Sequence, residues 1–301
     1  MDGALVGGEY AGHLTDADLR LLASAARDGQ DAARLRGDPE ALAGLLADPR
    51  VFEAVFGSGN DVTNAGPPIP VSPFLTFAVA VHRSAAELAS LDHVAERAGL
   101  RQRIPLFDAP DLRDFLGSPG RRLFLAELLA SFTRVASGRY RVRGSGRPRT
   151  RRFSELDPVR LAGMLDSVPD SDRPGVYRRL GDVSLFLAGV FPDYAAAYAF
   201  APAGGAALLR AAQVPAVEHE RLAEAPGIEL LEYVGARWYR AASRLAPLRT
   251  ARLDVVSEVA DRFRQARRVL NHIADHYLFG GGSAGFAPPA PWHHPGRRRL
   301  R

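Results

Sequence analysis

The chain has neither cysteine nor lysine, and no apolar run long enough to cross a bilayer. Without cysteine there are no disulfides, thiolate zinc sites, cysteine-ligated iron–sulfur clusters or cysteine nucleophiles. Without lysine, every one of the 39 basic residues is arginine. With heavy use of Ala, Gly and Pro, this reads as the codon bias of a GC-rich genome. It is therefore no sign of selection for phosphate recognition, although Arg is the better fork for that task. The most apolar run, Val183 to Phe191, is nine residues long and stops at Pro192-Asp193, well short of a membrane span. Met1 to Glu9 lacks the basic and apolar regions of a signal peptide. A soluble cytoplasmic protein without membrane contact is expected. Gly57-Ser58-Gly59 has no phosphate-loop lysine behind it, and no dinucleotide fingerprint occurs, so no cofactor is expected.

Against these absences one stretch stands out. Between Arg139 and Arg152 lie seven arginines and no acid, in the order Arg-Tyr-Arg-Val-Arg-Gly-Ser-Gly-Arg-Pro-Arg-Thr-Arg-Arg. The alternation predicts a β-hairpin over 139–153 with Gly144-Ser145-Gly146 as its turn. That register sets Arg143 opposite Arg147, Arg141 opposite Arg149 and Arg139 opposite Arg151, all on one side of the ribbon. Tyr140, Val142, Pro148 and Thr150 take the other side. Four more arginines (Arg297, Arg298, Arg299, Arg301) follow Leu278, again without an acid. With these eleven set aside, 28 arginines face 34 Asp plus Glu, so the remaining body is formally −6. The basic balance is a property of two short segments on a mildly acidic body, which weakens any inference from overall charge to nucleic acid.

Helix punctuation recurs along the chain. Asp38-Pro39, Asp48-Pro49, Ser72-Pro73, Ser118-Pro119 and Asp157-Pro158 each pair an N-cap with proline at the first helical position. Helices are predicted over 15–27, 39–47, 49–56, 73–91, 110–116, 119–137, 158–167, 174–191, 228–245 and 253–279. Val176, Leu180, Val183, Leu187 and Val190 form a regular stripe, as do Val259, Phe263, Ala266, Leu270, Ile273 and Tyr277. The last two helices, joined near Pro247, should pack antiparallel. The fold class is all-α, a multi-helix bundle with one inserted Arg-rich β-hairpin. Its organisation reads as a short-helix region (1–57), a linker (58–71), a helical core domain (72–279) and a disordered basic tail (280–301). No element is assigned over 192–227.

Three segments carry a likeness: Ser72-Pro-Phe-Leu-Thr-Phe-Ala-Val, Arg152-Phe-Ser-Glu-Leu-Asp-Pro-Val-Arg-Leu-Ala-Gly-Met-Leu, and Pro174-Gly-Val-Tyr-Arg-Arg-Leu-Gly-Asp. They resemble uncharacterised all-helical proteins encoded by GC-rich bacteria. The likeness implies a helical fold and transfers no activity or site.

Other patterns invite chemistry less firmly. His93 to Leu100 resembles the first helix and turn of a helix-turn-helix, but Pro105 falls where a recognition helix should run. Helices at 110–116 and 121–137 followed by the ribbon would imitate a winged helix-turn-helix, yet the second helix offers mostly core residues. His272 and His276 have metal-pair spacing, with His272 read as solvent-facing and His276 as flanking the core. Gly281-Gly-Ser283-Ala-Gly285 matches a nucleophile elbow but lacks the strand before it and the helix after it. No catalytic residues are assigned. The expected function is binding rather than chemistry: an acidic protein partner or a second subunit engaged by Arg139, Arg141, Arg143, Arg147, Arg149 and Arg151. Nucleic acid on the same hairpin is the alternative, and an enzyme with a dispersed site is a third class.

Overall fold

The computed structural model describes residues 3–26, 31–57, 71–99, 102–142, 149–197 and 202–279. In chain order these residues form α1 (Gly3–His13), α2 (Asp16–Ala25), α3 (Ala32–Arg36), α4 (Pro39–Leu46), α5 (Pro49–Phe56) and α6 (Pro73–Leu88). A hairpin of β1 (Val94–Gly99) and β2 (Gln102–Leu106) follows, then α7 (Ala109–Gly117) and α8 (Pro119–Ser131). The second hairpin is β3 (Ser137–Val142) and β4 (Arg149–Ser154). The chain continues through α9 (Pro158–Ala162), α10 (Arg173–Val190), α11 (Pro192–Ala197), α12 (Pro202–Ala211) and α13 (His219–Ala223). It closes with α14 (Gly227–Leu245), α15 (Ala251–Asp261) and α16 (Phe263–Ile273), extended by a π-turn over Ala274–Leu278. The fold is all-α, with two small antiparallel hairpins set into it. The linker at 58–70, the elbow-like Gly281–Gly285 and the basic tail lie outside the described residues.

Local chemistry sets the helix starts. All five predicted caps accept a backbone N–H with the side chain: Asp38 from Ala41, Asp48 from Arg50, Ser72 from Leu75, Ser118 from Arg121 and Asp157 from Arg160. Thr15 and Asp18 form a reciprocal capping box at α2. Asp18, itself buried, also accepts the Ser72 backbone N–H at 2.8 Å, tying α2 to the start of α6.

Two helices run through the centre. α6 is buried from Phe74 to His82, and α10 from Leu180 to Val190. α10, α14 and α16 lie against one another at separations that only glycine permits. A Cβ on Gly181 would collide with the Tyr239 ring, one on Gly235 would fall 2.5 Å from the Phe263 ring, and one on Gly189 2.7 Å from Leu270 Cβ. One hydrophobic cluster joins Tyr10 and Leu22 at the N-terminal side to Trp238 and Leu278 at the other.

The expected single helix over 253–279 is two helices. Arg262 adopts φ −117°, ψ 35°, which ends α15 and turns the chain so that Phe263 enters the slot over Gly235. Beyond it, α16 is enclosed by α6, α7, α10 and β1. Charged side chains are therefore drawn inside with it. Arg267, 3% exposed, pairs with Glu96 of β1 and Glu232 of α14, and Arg268 pairs with Glu96 and Asp108.

Candidate functional site

The arginine hairpin forms, in a register one residue away from the expected one. Arg139 pairs with Arg152, Tyr140 with Arg151, Arg141 with Thr150 and Val142 with Arg149. A one-residue slip moves side chains to the opposite face, so the arginines do not share a single side. Arg139, Arg141 and Arg152 occupy one face together with Thr150, and Arg151 stands on the other beside Tyr140. Arg149 lies in β4 opposite Val142. Arg143, Arg147 and the predicted Gly144-Ser145-Gly146 turn are outside the described residues.

Contacts at the base of the hairpin fix this register. Gly138 stands opposite Phe153, whose ring lies 2.8 Å from where a Cβ on the glycine would be. One step below, Glu155 N donates to Ala136 O at 3.1 Å and Glu155 Oε2 accepts from Ala136 N at 2.9 Å. The same Oε2 accepts from Arg179 of α10 at 3.0 Å, which fixes the ribbon to the central helix. The Tyr140 hydroxyl reaches toward Gly163 at the end of α9, where an added Cβ would meet it at 3.2 Å. One face is thus turned to the body. The face with Arg139, Arg141 and Arg152 is exposed, and none of the three has a carboxylate partner among the described residues. Many arginines elsewhere are paired, as Arg121 is with Glu258, Arg240 with Asp261 and Arg252 with Glu127.

Neither helix-turn-helix likeness yields a recognition helix. The segment from His93 does not begin a helix: Val94–Gly99 is strand β1, paired with β2, and its Glu96 is committed to Arg267 and Arg268. Gly99 and Pro105 both disfavour a helical continuation there. The helix–turn–helix–ribbon order of α7, α8 and β3–β4 does exist. However, Leu123 to Ala126, Leu128 and Leu129 of α8 are buried, and no α8 residue from Gly120 to Ala130 is exposed. α8 therefore has no free face for a groove.

The histidine pair is oriented opposite to expectation. His272 is buried and His276 is exposed, because α16 is covered on nearly every side. Their rings lie 4.0 Å apart, and His276 Nδ1 contacts the His272 carbonyl at 2.8 Å. His272 Nε2 points instead toward Glu87 of α6, 3.8 Å away, and the Tyr277 hydroxyl donates to the same carboxylate. His272 above all, followed by Tyr277 and Arg83, holds the Glu87 carboxyl at about 2 against the opposing effect of burial. Among the described residues no three His, Asp or Glu side chains converge as metal ligands.

One arrangement could not be anticipated from spacing alone. Arg178 and Asp182, one turn apart on α10, meet Tyr239 of α14. Arg178 Nε and the Tyr239 hydroxyl each donate to Asp182 Oδ1 at 2.9 Å. Burial, followed by the Asp182 charge, pushes the Tyr239 hydroxyl well above its ordinary range. The i,i+4 spacing of an Arg and an Asp was the one available signal, and it is shared by many solvated helix faces. No family model, curated protein or solved structure matches this chain. Among the described residues, no helix is long and apolar enough to cross a membrane.

Proposed function

We propose that this protein acts by binding: the outer face of the β3–β4 hairpin docks on a negatively charged protein surface, that of a partner or of a second copy. A single observation carries the reading. Arg139 and Arg152 stand opposite each other, with Arg141 beside them, exposed and without a carboxylate partner among the described residues. Like charges placed directly opposite oppose hairpin formation, so a visiting carboxylate cluster relieves a cost that the free protein carries. The buried α8 leaves nucleic acid without a recognition helix, and among the described residues the outer face of the hairpin carries three arginines.

The test is fluorescence anisotropy with a labelled oligo-glutamate peptide and a labelled duplex oligonucleotide at low salt, alongside light-scattering mass. Saturable peptide binding or a concentration-dependent dimer is expected, and either should be lost in the Arg139→Ala/Arg141→Ala/Arg152→Ala variant. An unchanged mass together with no peptide binding removes the proposal. Binding of the duplex alone, with a steep salt slope that flattens in the variant, transfers the hairpin to nucleic acid.

A further inference from the structure

Beside the Arg178–Asp182–Tyr239 cluster a cavity of about 450 Å³ opens between α1, α8, α10 and α15. Its polar wall includes His13, Glu127, Ser131, Arg178, Asp182 and Arg252, and its apolar wall includes Phe74 and Leu128. Glu127, Arg178 and Arg252 also line a second hollow of about 60 Å³, together with Glu9 and Phe124.

Arg178 is held before any ligand arrives. Its guanidinium carbon lies 4.9 Å from the Phe124 ring centre and 5.9 Å from that of Tyr239, while Nε is spent on Asp182. Both Nη groups lack an acceptor among the described residues. A forked donor pair fixed by stacking and by a hydrogen bond at its root is pre-organised for a carboxylate. Acceptors are left over as well. Asp182 Oδ1 takes both of its donors, so Oδ2 has only the Arg179 guanidinium at 4.0 Å. Glu127 Oε1 takes both His13 and Arg252, so Oε2 has no hydrogen-bond partner among the described residues.

The site therefore presents an unused cationic fork directly beside unused carboxylate oxygens, with an apolar wall next to both. A simple anion would meet Glu127 and Asp182, and a simple cation would meet Arg178 and Arg252. A ligand carrying both charges on neighbouring atoms satisfies all of them. We infer that this cavity binds an α-amino acid zwitterion with an apolar side chain: the carboxylate on the Arg178 Nη groups, the ammonium on Asp182 Oδ2 and Glu127 Oε2, and the side chain against Phe74 and Leu128.

Isothermal titration calorimetry of the full chain with L-leucine and L-phenylalanine tests this. Saturable binding is expected, with N-acetyl-leucine (no ammonium) and leucine amide (no carboxylate) each weaker by about ten-fold or more, as the loss of a charge-assisted contact implies. Arg178→Gln should remove the preference for leucine over its amide, and Glu127→Gln the preference over the N-acetyl form. No saturable heat with either amino acid up to about 10 mM, a very weak affinity, overturns the inference. So does equal binding of the blocked derivatives. The derivative series uses the unaltered chain, so the result stands even where a variant fails to fold.

Discussion

Arg139 faces Arg152 across the β3–β4 ladder, both side chains exposed and neither with a carboxylate partner among the described residues. Cross-strand neighbours lie about 5 Å apart at Cβ, and like charges there destabilise by roughly 0.2–1 kcal/mol. Arg139→Thr should therefore raise unfolding free energy by a few tenths to about 1 kcal/mol in urea melts at low salt. The gain should shrink at high salt as the repulsion is screened. A loss of stability would mean that Arg139 is neutralised inside the molecule, and the hairpin would then have no spare charge to offer.

The α10–α14 contact predicts opposite outcomes for two glycines on one helix. Gly181 abuts the Tyr239 ring, which is fully buried and cannot retreat. Gly181→Ala should cost about 1–3 kcal/mol or more by overpacking. Gly175, in the first turn of α10, has nothing within 4 Å of the place an alanine methyl would take, so Gly175→Ala should gain roughly 0.5–1 kcal/mol through helix propensity. Thermal melts of both variants decide the matter. Equal effects would mean that the helices are not seated as closely as this geometry requires.

The five Asp/Ser-Pro caps were legible in the sequence because capping is a local event within four residues. The stripe on α10 was legible for the same reason, since an apolar face repeats wherever the helix packs. Register in the arginine hairpin was not, because Phe153 over Gly138 and Glu155 against Ala136 and Arg179 set it from below, while alternation within the ribbon fits either register. The burial of His272 was equally hidden. It depends on Arg262 ending α15 and on β1 and α6 covering α16, and neither leaves a trace in the periodicity around residue 272. Arg178, Asp182, Glu127 and Tyr239 come from three helices, and only folding brings them together.

His82 gives the fold a weakness toward acid. It is buried, with Tyr10 OH 3.2 Å from its Nε2. Burial first, and the Arg122 charge second, push its pKa from 6.5 down to about 3. The unfolded chain takes up this proton as pH falls through 6.5, whereas the folded chain refuses it until about 3. Stability contributed by neutral His82 is thus present above pH 6.5 and drains between the two values, by on the order of a few kcal/mol. His82→Gln, which keeps a polar group near the Tyr10 hydroxyl, should flatten this part of the stability–pH curve in urea titrations. An unchanged slope between pH 6 and 4 would place the acid sensitivity in other groups.

Arg267 holds three separate elements through one buried charge. Its guanidinium joins Glu96 of β1 to Glu232 of α14 from within α16, while Nη1 is buried without a hydrogen-bond partner among the described residues. Removing one member of a buried ionic cluster typically costs about 3–5 kcal/mol, because the opposite charges remain desolvated. Here Arg268 still reaches Glu96 at 3.1 Å and Arg264 still reaches Glu232 at 3.3 Å, so Arg267→Met should fall near the lower end of that range. Adding Glu232→Leu removes one stranded carboxylate and should restore part of the loss, giving a favourable coupling in a double-mutant cycle. Simple additivity would show that Arg267 and Glu232 are each already solvated. The α14–α16 contact would then rest on apolar packing such as Phe263 against Gly235 rather than on this charge.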